Sequence, residues 1–69
     1  MALVSTKLVQ EIGAAIANSQ SEHRVALGNE QLKCLRERYD YELGLSAFIS
    51  QATNLNDRLF ALLELRLMA

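Results

Sequence analysis

Apolar residues recur along the chain at steps of three and four positions, the spacing that gathers side chains on one side of an α-helix. The chain contains no proline, and its β-branched residues do not cluster, so helix is favoured throughout. The first helix is predicted over residues 4–18, where Leu8, Ile12 and Ile16 form the apolar side. Ser5 suits the N-cap, because a serine hydroxyl can accept a hydrogen bond from an otherwise unpaired amide.

A second helix is predicted over residues 20–43. Ser19 and Glu22 have the spacing of a capping box near its start. Apolar residues follow one stripe of this helix, and acidic and basic residues share the remaining surface. The stripe consists of Val25, Gly28, Leu32, Leu35, Tyr39 and Leu43.

A third helix is predicted over residues 46–68, because extending the second stripe would place Ser46 and Thr53 inside the protein. The two stripes are therefore out of phase, and a break must separate them. Gly44 suits the end of one helix and Ser46 the N-cap of the next. Gly28–Asn29 is an alternative position for the turn.

These elements predict an all-α fold: a short N-terminal helix followed by an antiparallel helical hairpin of coiled-coil type. The two arms have similar lengths and are joined by a tight turn. All 69 residues are expected to form a single domain. The pattern leaves open whether the first helix packs across the hairpin or binds elsewhere.

The composition is that of a globular protein, with 51% hydrophobic and 22% charged residues. A formal net charge of −1 argues against a dedicated binder of nucleic acid or of anionic membranes. No segment resembles a membrane-inserting helix or a secretion signal, so a cytoplasmic location is expected. A chain of this size rarely gains more than about 3–5 kcal/mol from its own core, which makes a binding partner the first expected source of further stability.

Candidate reactive residues are few. The single histidine, His23, and the single cysteine, Cys34, allow no intrachain disulfide and make a metal site implausible. His23 is expected at the surface, and Cys34 is expected to be a half-buried small apolar residue. No acid, base and nucleophile can be grouped with catalytic spacing, so we expect no catalytic residues, no enzyme activity and no cofactor.

The end of the chain is apolar on every side of the predicted helix. From Leu59 to Ala69 the only charged residues are Glu64 and Arg66. Such a helix is normally buried all round, whereas a hairpin arm covers one side only. A compact three-helix bundle could cover the rest internally, but the small size of the domain favours an apolar surface that binds another chain. The residues predicted to bind this partner are Phe48, Ala52, Leu55, Leu59, Leu62, Leu63 and Leu67.

Between Tyr41 and Leu67, a tyrosine leads into a final segment striped with alanine and leucine. With the chain length, the short first helix and the hairpin, this segment resembles the small co-chaperones of type III secretion needle subunits, the YscE-like family. That family often has a Gly-Gly turn where this chain has the single Gly44 or Gly28–Asn29. The resemblance implies a protein that binds a larger helical-repeat chaperone and, with it, keeps the needle subunit soluble before export. The stripe behind the resemblance is Ala47, Phe48, Gln51, Ala52, Leu55, Leu59 and Leu62.

Two other functions are consistent with the same pattern. One is a homo-oligomeric helical scaffold, which would pair only with copies of itself. The other is a small regulator that modulates a DNA-binding protein by helix pairing through the charged second helix. All three hypotheses expect a helical protein as partner, either another chain or the same one, without nucleic-acid binding or membrane insertion.

Overall fold

The computed structural model describes residues 4–68, and within this range the chain is all-α, as predicted. It forms four helices: α1 (Thr6–Ser19), α2 (Val25–Arg36), α3 (Tyr41–Gln51) and α4 (Leu55–Met68). Helix α1 lies at the centre and packs against each of the other three, while α3 also packs against α4. The first helix therefore packs onto the rest of the protein, which answers the question that the sequence left open.

Helix α1 forms where its apolar spacing predicts. The Ser5 hydroxyl accepts a hydrogen bond from the Leu8 amide at 3.4 Å, which confirms Ser5 as the N-cap. Leu8, Ile12 and Ile16 are completely buried. Because one face of α1 forms the middle of the core, its three- and four-residue spacing predicted its burial correctly.

The predicted helix start near Ser19 is wrong. Ser19 is the last residue of α1, and α2 begins only at Val25, after turns closed by the Ser21 and Arg24 amides. The intervening residues 20–24 turn the chain back so that α2 packs against α1. The capping-box spacing of Ser19 and Glu22 was therefore misleading, since Ser19 is used in a helix-helix contact.

The predicted helix 20–43 is also divided, because α2 ends at Arg36 and α3 begins at Tyr41. The turn between them shifts the buried positions by two residues. Tyr39, predicted to be on the apolar stripe, is 99% exposed, and Leu43 is 60% exposed. The core instead receives Tyr41, and further along α3 it receives Gly44, Leu45 and Phe48.

Neither of the two glycines predicted to form a turn lies in one. Gly44 lies inside α3 and Gly28 inside α2, and no glycine within residues 4–68 has a positive φ. Both glycines are buried where two helices approach each other closely. A Cβ atom on Gly28 would lie 2.3 Å from the Ser19 backbone nitrogen, and one on Gly44 would lie 2.7 Å from Ile12 Cδ1. These glycines therefore serve helix packing, and chain reversal takes place elsewhere.

The predicted helix 46–68 breaks at residues 52–54, between the end of α3 and the start of α4. Ala52 has extended backbone angles, φ −70° and ψ 134°. The Asn54 side-chain oxygen accepts a hydrogen bond from the Asp57 amide at 3.1 Å, which is the geometry of an N-cap. The two long arms of the predicted hairpin are thus three shorter helices, α2, α3 and α4, and the cap at Asn54 is the local reason for the second break.

Candidate protein-binding surface

Helix α4 has two apolar sides, and the protein covers only one of them. The inner side buries Ala61 and Glu64, and leaves Phe60 and Leu65 half-buried against the core. The outer side consists of leucines that are between 47% and 81% exposed. We call this outer surface the leucine face; it comprises Leu55, Leu59, Leu62, Leu63 and Leu67.

The leucine face contains five of the residues predicted to bind a partner. The other two lie apart from it, because the break at residues 52–54 interrupts the predicted stripe. Phe48 is buried on α3, where its ring packs against Gly13 of α1, and Ala52 is half-buried in the linker. Phe48 therefore belongs to the core of the chain, and its predicted contact with a partner stays a prediction.

A buried carboxylate anchors the inner side of α4. Glu64 Oε1 accepts hydrogen bonds from Tyr41 Oη at 2.8 Å and from Arg36 Nε at 3.0 Å. Its Oε2 accepts a third bond, from Arg36 Nη2 at 2.8 Å. Tyr41 is completely buried and the Glu64 side chain is 8% exposed. This network joins α4 to α2 and α3, and buried polar groups that are fully paired in this way fix one arrangement of helices.

The sequence pattern does not predict this network. The only available signal was one acidic residue in an otherwise apolar stretch, at a position where a charge needs a partner if the helix is buried. Its partners Arg36 and Tyr41 lie 28 and 23 residues away in the chain, and nothing in the local pattern connects them to Glu64.

The network shifts the pKa values of its members in the directions that keep it intact. Burial by itself would raise the pKa of Glu64, but the hydrogen bonds from Arg36 and Tyr41 outweigh it, and the pKa is lowered. Burial, reinforced by the hydrogen bond to Glu64, raises the pKa of the Tyr41 hydroxyl. The hydrogen bond to Glu64 raises the pKa of Arg36. Near neutral pH, the site therefore holds a carboxylate, a guanidinium ion and a neutral phenol.

Acid is expected to weaken the fold through Glu64. Its pKa in the folded state lies below the ordinary value of 4.5, so its contribution to stability is present above that pH and is lost as the pH falls through the folded-state pKa. Glu64→Gln removes this titration. In urea unfolding between about pH 7 and pH 3, the stability difference between the wild type and this variant should shrink on acidification. A difference that stays constant would contradict the assigned role of Glu64.

A second polar contact holds the start of α4. Gln20 Nε2 donates to Asp57 Oδ1 at 2.8 Å, and also to the Ile16 carbonyl at 3.2 Å. Both acidic residues of α4, Asp57 and Glu64, are therefore bonded to other elements of the protein. The basic residues Arg58 and Arg66 are exposed, and neither forms an ion pair within residues 4–68. As a result, the charged residues on the outer side of α4 are all basic.

Outside α4, an open cleft of about 440 Å³ lies between α1 and α2. Its lining includes Cys34, Leu27 and Arg38, and Arg38 pairs with Glu11 at 3.6 Å and with Asp40 at 3.0 Å. Cys34 is exposed, so its predicted half-burial is wrong. The opening beside Cys34 explains the difference, since a residue that borders a cleft is left uncovered by the neighbouring helix.

His23 is exposed in the turn before α2, as predicted. Across residues 4–68, no group of three or more His, Cys, Asp and Glu side chains is placed to hold a metal ion. None of the helices in that range is both long and apolar enough to cross a membrane.

Comparison with known proteins finds no matching family model, no matching curated protein and no matching solved structure.

Proposed function

We propose that this protein is a non-enzymatic binding module that packs the leucine face of α4 against a helix of another protein. The observation that supports this proposal is the double-sided construction of α4. Its inner side is attached through Ala61 and the bonds of Glu64, while Leu59, Leu62 and Leu63 remain about half exposed on the outer side. Contiguous exposed apolar patches are typical of protein-protein interaction sites.

Every leucine of the face gains free energy in the same way when a partner covers it. Complete burial of a leucine side chain is worth about 1.5–3 kcal/mol, so covering the exposed half contributes roughly 1 kcal/mol per residue. Several such side chains on one helix suffice for a helix-in-groove or helix-on-helix contact, which uses anchors at three- and four-residue spacing. Leu55, Leu59 and Leu62 have this spacing.

The most specific form of this function is a cytoplasmic co-chaperone of a type III secretion needle subunit. The support for it is the resemblance of Tyr41 to Leu67 to the YscE-like family. In this role the protein binds a larger helical-repeat chaperone, and the two together hold the needle subunit before export. The break at residues 52–54 and the position of Gly44 within α3 depart from the single final helix and glycine turn of that resemblance.

Replacing Leu59 and Leu63 together with alanine is expected to weaken partner binding by about tenfold or more, because both side chains contribute exposed apolar area to the face. Thermal unfolding of the free protein should change little, since the two side chains are 49% and 58% exposed. The partner is first obtained by co-purification from native lysate and identified by mass spectrometry, and binding is then measured by titration of the purified proteins.

The matched control is Leu27→Ala combined with Leu43→Ala. These leucines are 53% and 60% exposed but lie on α2 and α3. The control should bind the partner as the wild type does. Equal binding by all three proteins would exclude the leucine face as the binding surface. A neighbouring gene for a helical-repeat chaperone or a needle subunit would support the co-chaperone role independently of these measurements.

A further inference from the structure

Building on the function proposed above, we infer that the leucine face accepts an apolar helix from a different protein, and that this helix has carboxylate side chains beside its apolar stripe. The charged residues of α4 are divided between its two sides. Asp57 and Glu64 are bonded to Gln20, Arg36 and Tyr41 on the inner side. The outer side therefore combines apolar surface with positive charge and offers no acidic group of its own.

The two arginines occupy different positions on this face. Successive residues of an α-helix are rotated by about 100°, so residues separated by four or seven positions share one side. Arg66 follows Leu62 by four positions and Leu59 by seven, which places it within the row of leucines. Arg58 precedes Leu62 by four positions and lies along the edge of the same row. A partner that covers the leucines must therefore also contact Arg58 and Arg66.

A second copy of this chain is a poor occupant. When one α4 packs on another, neither leucine face supplies a carboxylate, so Arg58 and Arg66 face leucines, the neutral Asn56 and further arginines. In the antiparallel register centred on Leu62, Arg58 of one copy lies opposite Arg66 of the other, because both are four residues from the centre. Like charges juxtaposed across an interface oppose association, and a buried guanidinium without a carboxylate is costly.

A partner helix with Asp or Glu beside its apolar stripe avoids both the contact between like charges and the buried guanidinium without a carboxylate. Its apolar stripe covers Leu55, Leu59 and Leu62, and its carboxylates reach the arginines at the rim, where arginine forms bidentate hydrogen bonds. An anionic membrane is a less suitable surface, because Arg66 lies among the leucines and would be carried into the apolar layer with them. The arrangement of charge thus favours a protein helix of opposite sign.

The test uses three synthetic amphipathic peptides with identical leucine stripes, whose flanking positions are all Glu, all Gln or all Lys. Binding of each labelled peptide to the full-length protein is measured by fluorescence anisotropy at low and at high salt. We expect the Glu peptide to bind roughly fivefold more tightly than the Gln peptide at low salt, with the difference reduced by salt. The Lys peptide should bind most weakly.

The variant Arg58→Gln with Arg66→Gln should abolish the preference for the Glu peptide but retain leucine-dependent binding. The matched control, Lys33→Gln with Arg24→Gln, removes two exposed cations of the α2 region and should keep the preference. If all three peptides bind equally and binding is lost in the Leu59→Ala, Leu63→Ala variant, the face binds helices but the charge inference is wrong. If no peptide shows leucine-dependent binding, the proposed function fails as well.

Two further measurements test the alternative occupants of the leucine face, which are a second copy of this chain and an anionic membrane. Sedimentation of the purified protein should show a monomer, and a homo-oligomer that the Leu59→Ala, Leu63→Ala variant dissociates would overturn the inference. Flotation with vesicles of mixed neutral and anionic phospholipids should leave the protein unbound. Binding to these vesicles that requires Arg58 and Arg66 would likewise overturn it.

Discussion

Replacement of Glu64 with alanine is expected to destabilise the protein by about 1.5–4 kcal/mol, because it leaves the buried Tyr41 hydroxyl without an acceptor and removes the pair with Arg36. An unpaired buried hydroxyl costs about 1–3 kcal/mol. The lost pair with Arg36 adds a smaller amount, roughly 0.5–1 kcal/mol, since the arginine side chain is 47% exposed and can return to water. Since a domain of this size rarely gains more than about 3–5 kcal/mol from its core, this loss should lower the urea midpoint markedly.

The measurement is urea unfolding followed by far-ultraviolet circular dichroism. The control is Glu30→Ala, which removes an exposed acid of α2 and should change the unfolding free energy by no more than about 0.5 kcal/mol. A second comparison uses Tyr41→Phe, which removes the donor and should cost about 1 kcal/mol. Added to Glu64→Ala, Tyr41→Phe should cost nothing further, because the phenyl ring needs no acceptor. Equal effects of Glu64→Ala and Glu30→Ala would show that the network does not hold α4 in place.

Gly28→Ala is expected to destabilise the protein by about 1–3 kcal/mol, even though alanine is the better helix former by about 1 kcal/mol. The added Cβ would lie 2.3 Å from the Ser19 backbone nitrogen and 2.7 Å from its Cα. Backbone atoms cannot turn aside as a side chain can, so α1 and α2 must separate. This separation would loosen the contact that buries Leu32 against α1.

Gly44→Ala is the variant with which the stability of Gly28→Ala should be compared. Its Cβ would meet Ile12 Cδ1 at 2.7 Å and Leu8 Cδ2 at 2.9 Å, which are the ends of flexible side chains. Small rotations of these side chains relieve the overlap, and the gain in helix propensity offsets much of the remaining cost. Thermal unfolding should therefore rank Gly28→Ala well below Gly44→Ala in stability. The reverse order would mean that the α1–α2 contact tolerates separation better than the packing of α3 on α1.

The attachment of α4 to the other helices determines how the leucine face is presented. Glu64 fixes the inner side of α4, so the outer side keeps one orientation toward a partner. If Glu64→Ala frees α4 from the core, partner binding should weaken through loss of a preorganised surface even though no leucine has changed. The stability of the fold and the proposed function are thus connected through a single buried carboxylate.

The sequence pattern predicted burial best on α1, which packs against all three other helices. Leu8, Ile12 and Ile16 recur at regular spacing on a helix that the rest of the protein surrounds, and all three are buried. The pattern failed at Tyr39 and Leu43, which continue the second stripe in sequence but are exposed, because a turn of a few residues changed the phase. A turn without glycine or proline gives little local signal, and residues 37–40 contain neither.

A signal for the second break was present in the sequence. Asn54 lies three residues before Asp57, a spacing typical of an N-terminal cap, and the structure shows the corresponding hydrogen bond. The glycines, by contrast, suggested turns where the protein uses them for close helix contacts. Glycine is compatible with both uses, and only the neighbour that a Cβ atom would meet distinguishes them.

By itself, the sequence determined that the chain is helical, that α1 has one apolar side and that the last helix is too apolar for a single covered surface. These properties follow from local spacing and composition, which each segment has without reference to any other. The tertiary structure decided where the helices end, which side of α4 faces the core and which residues bond Glu64. Those outcomes depend on contacts between segments more than twenty residues apart, as between Tyr41 and Glu64, and no local pattern contains them.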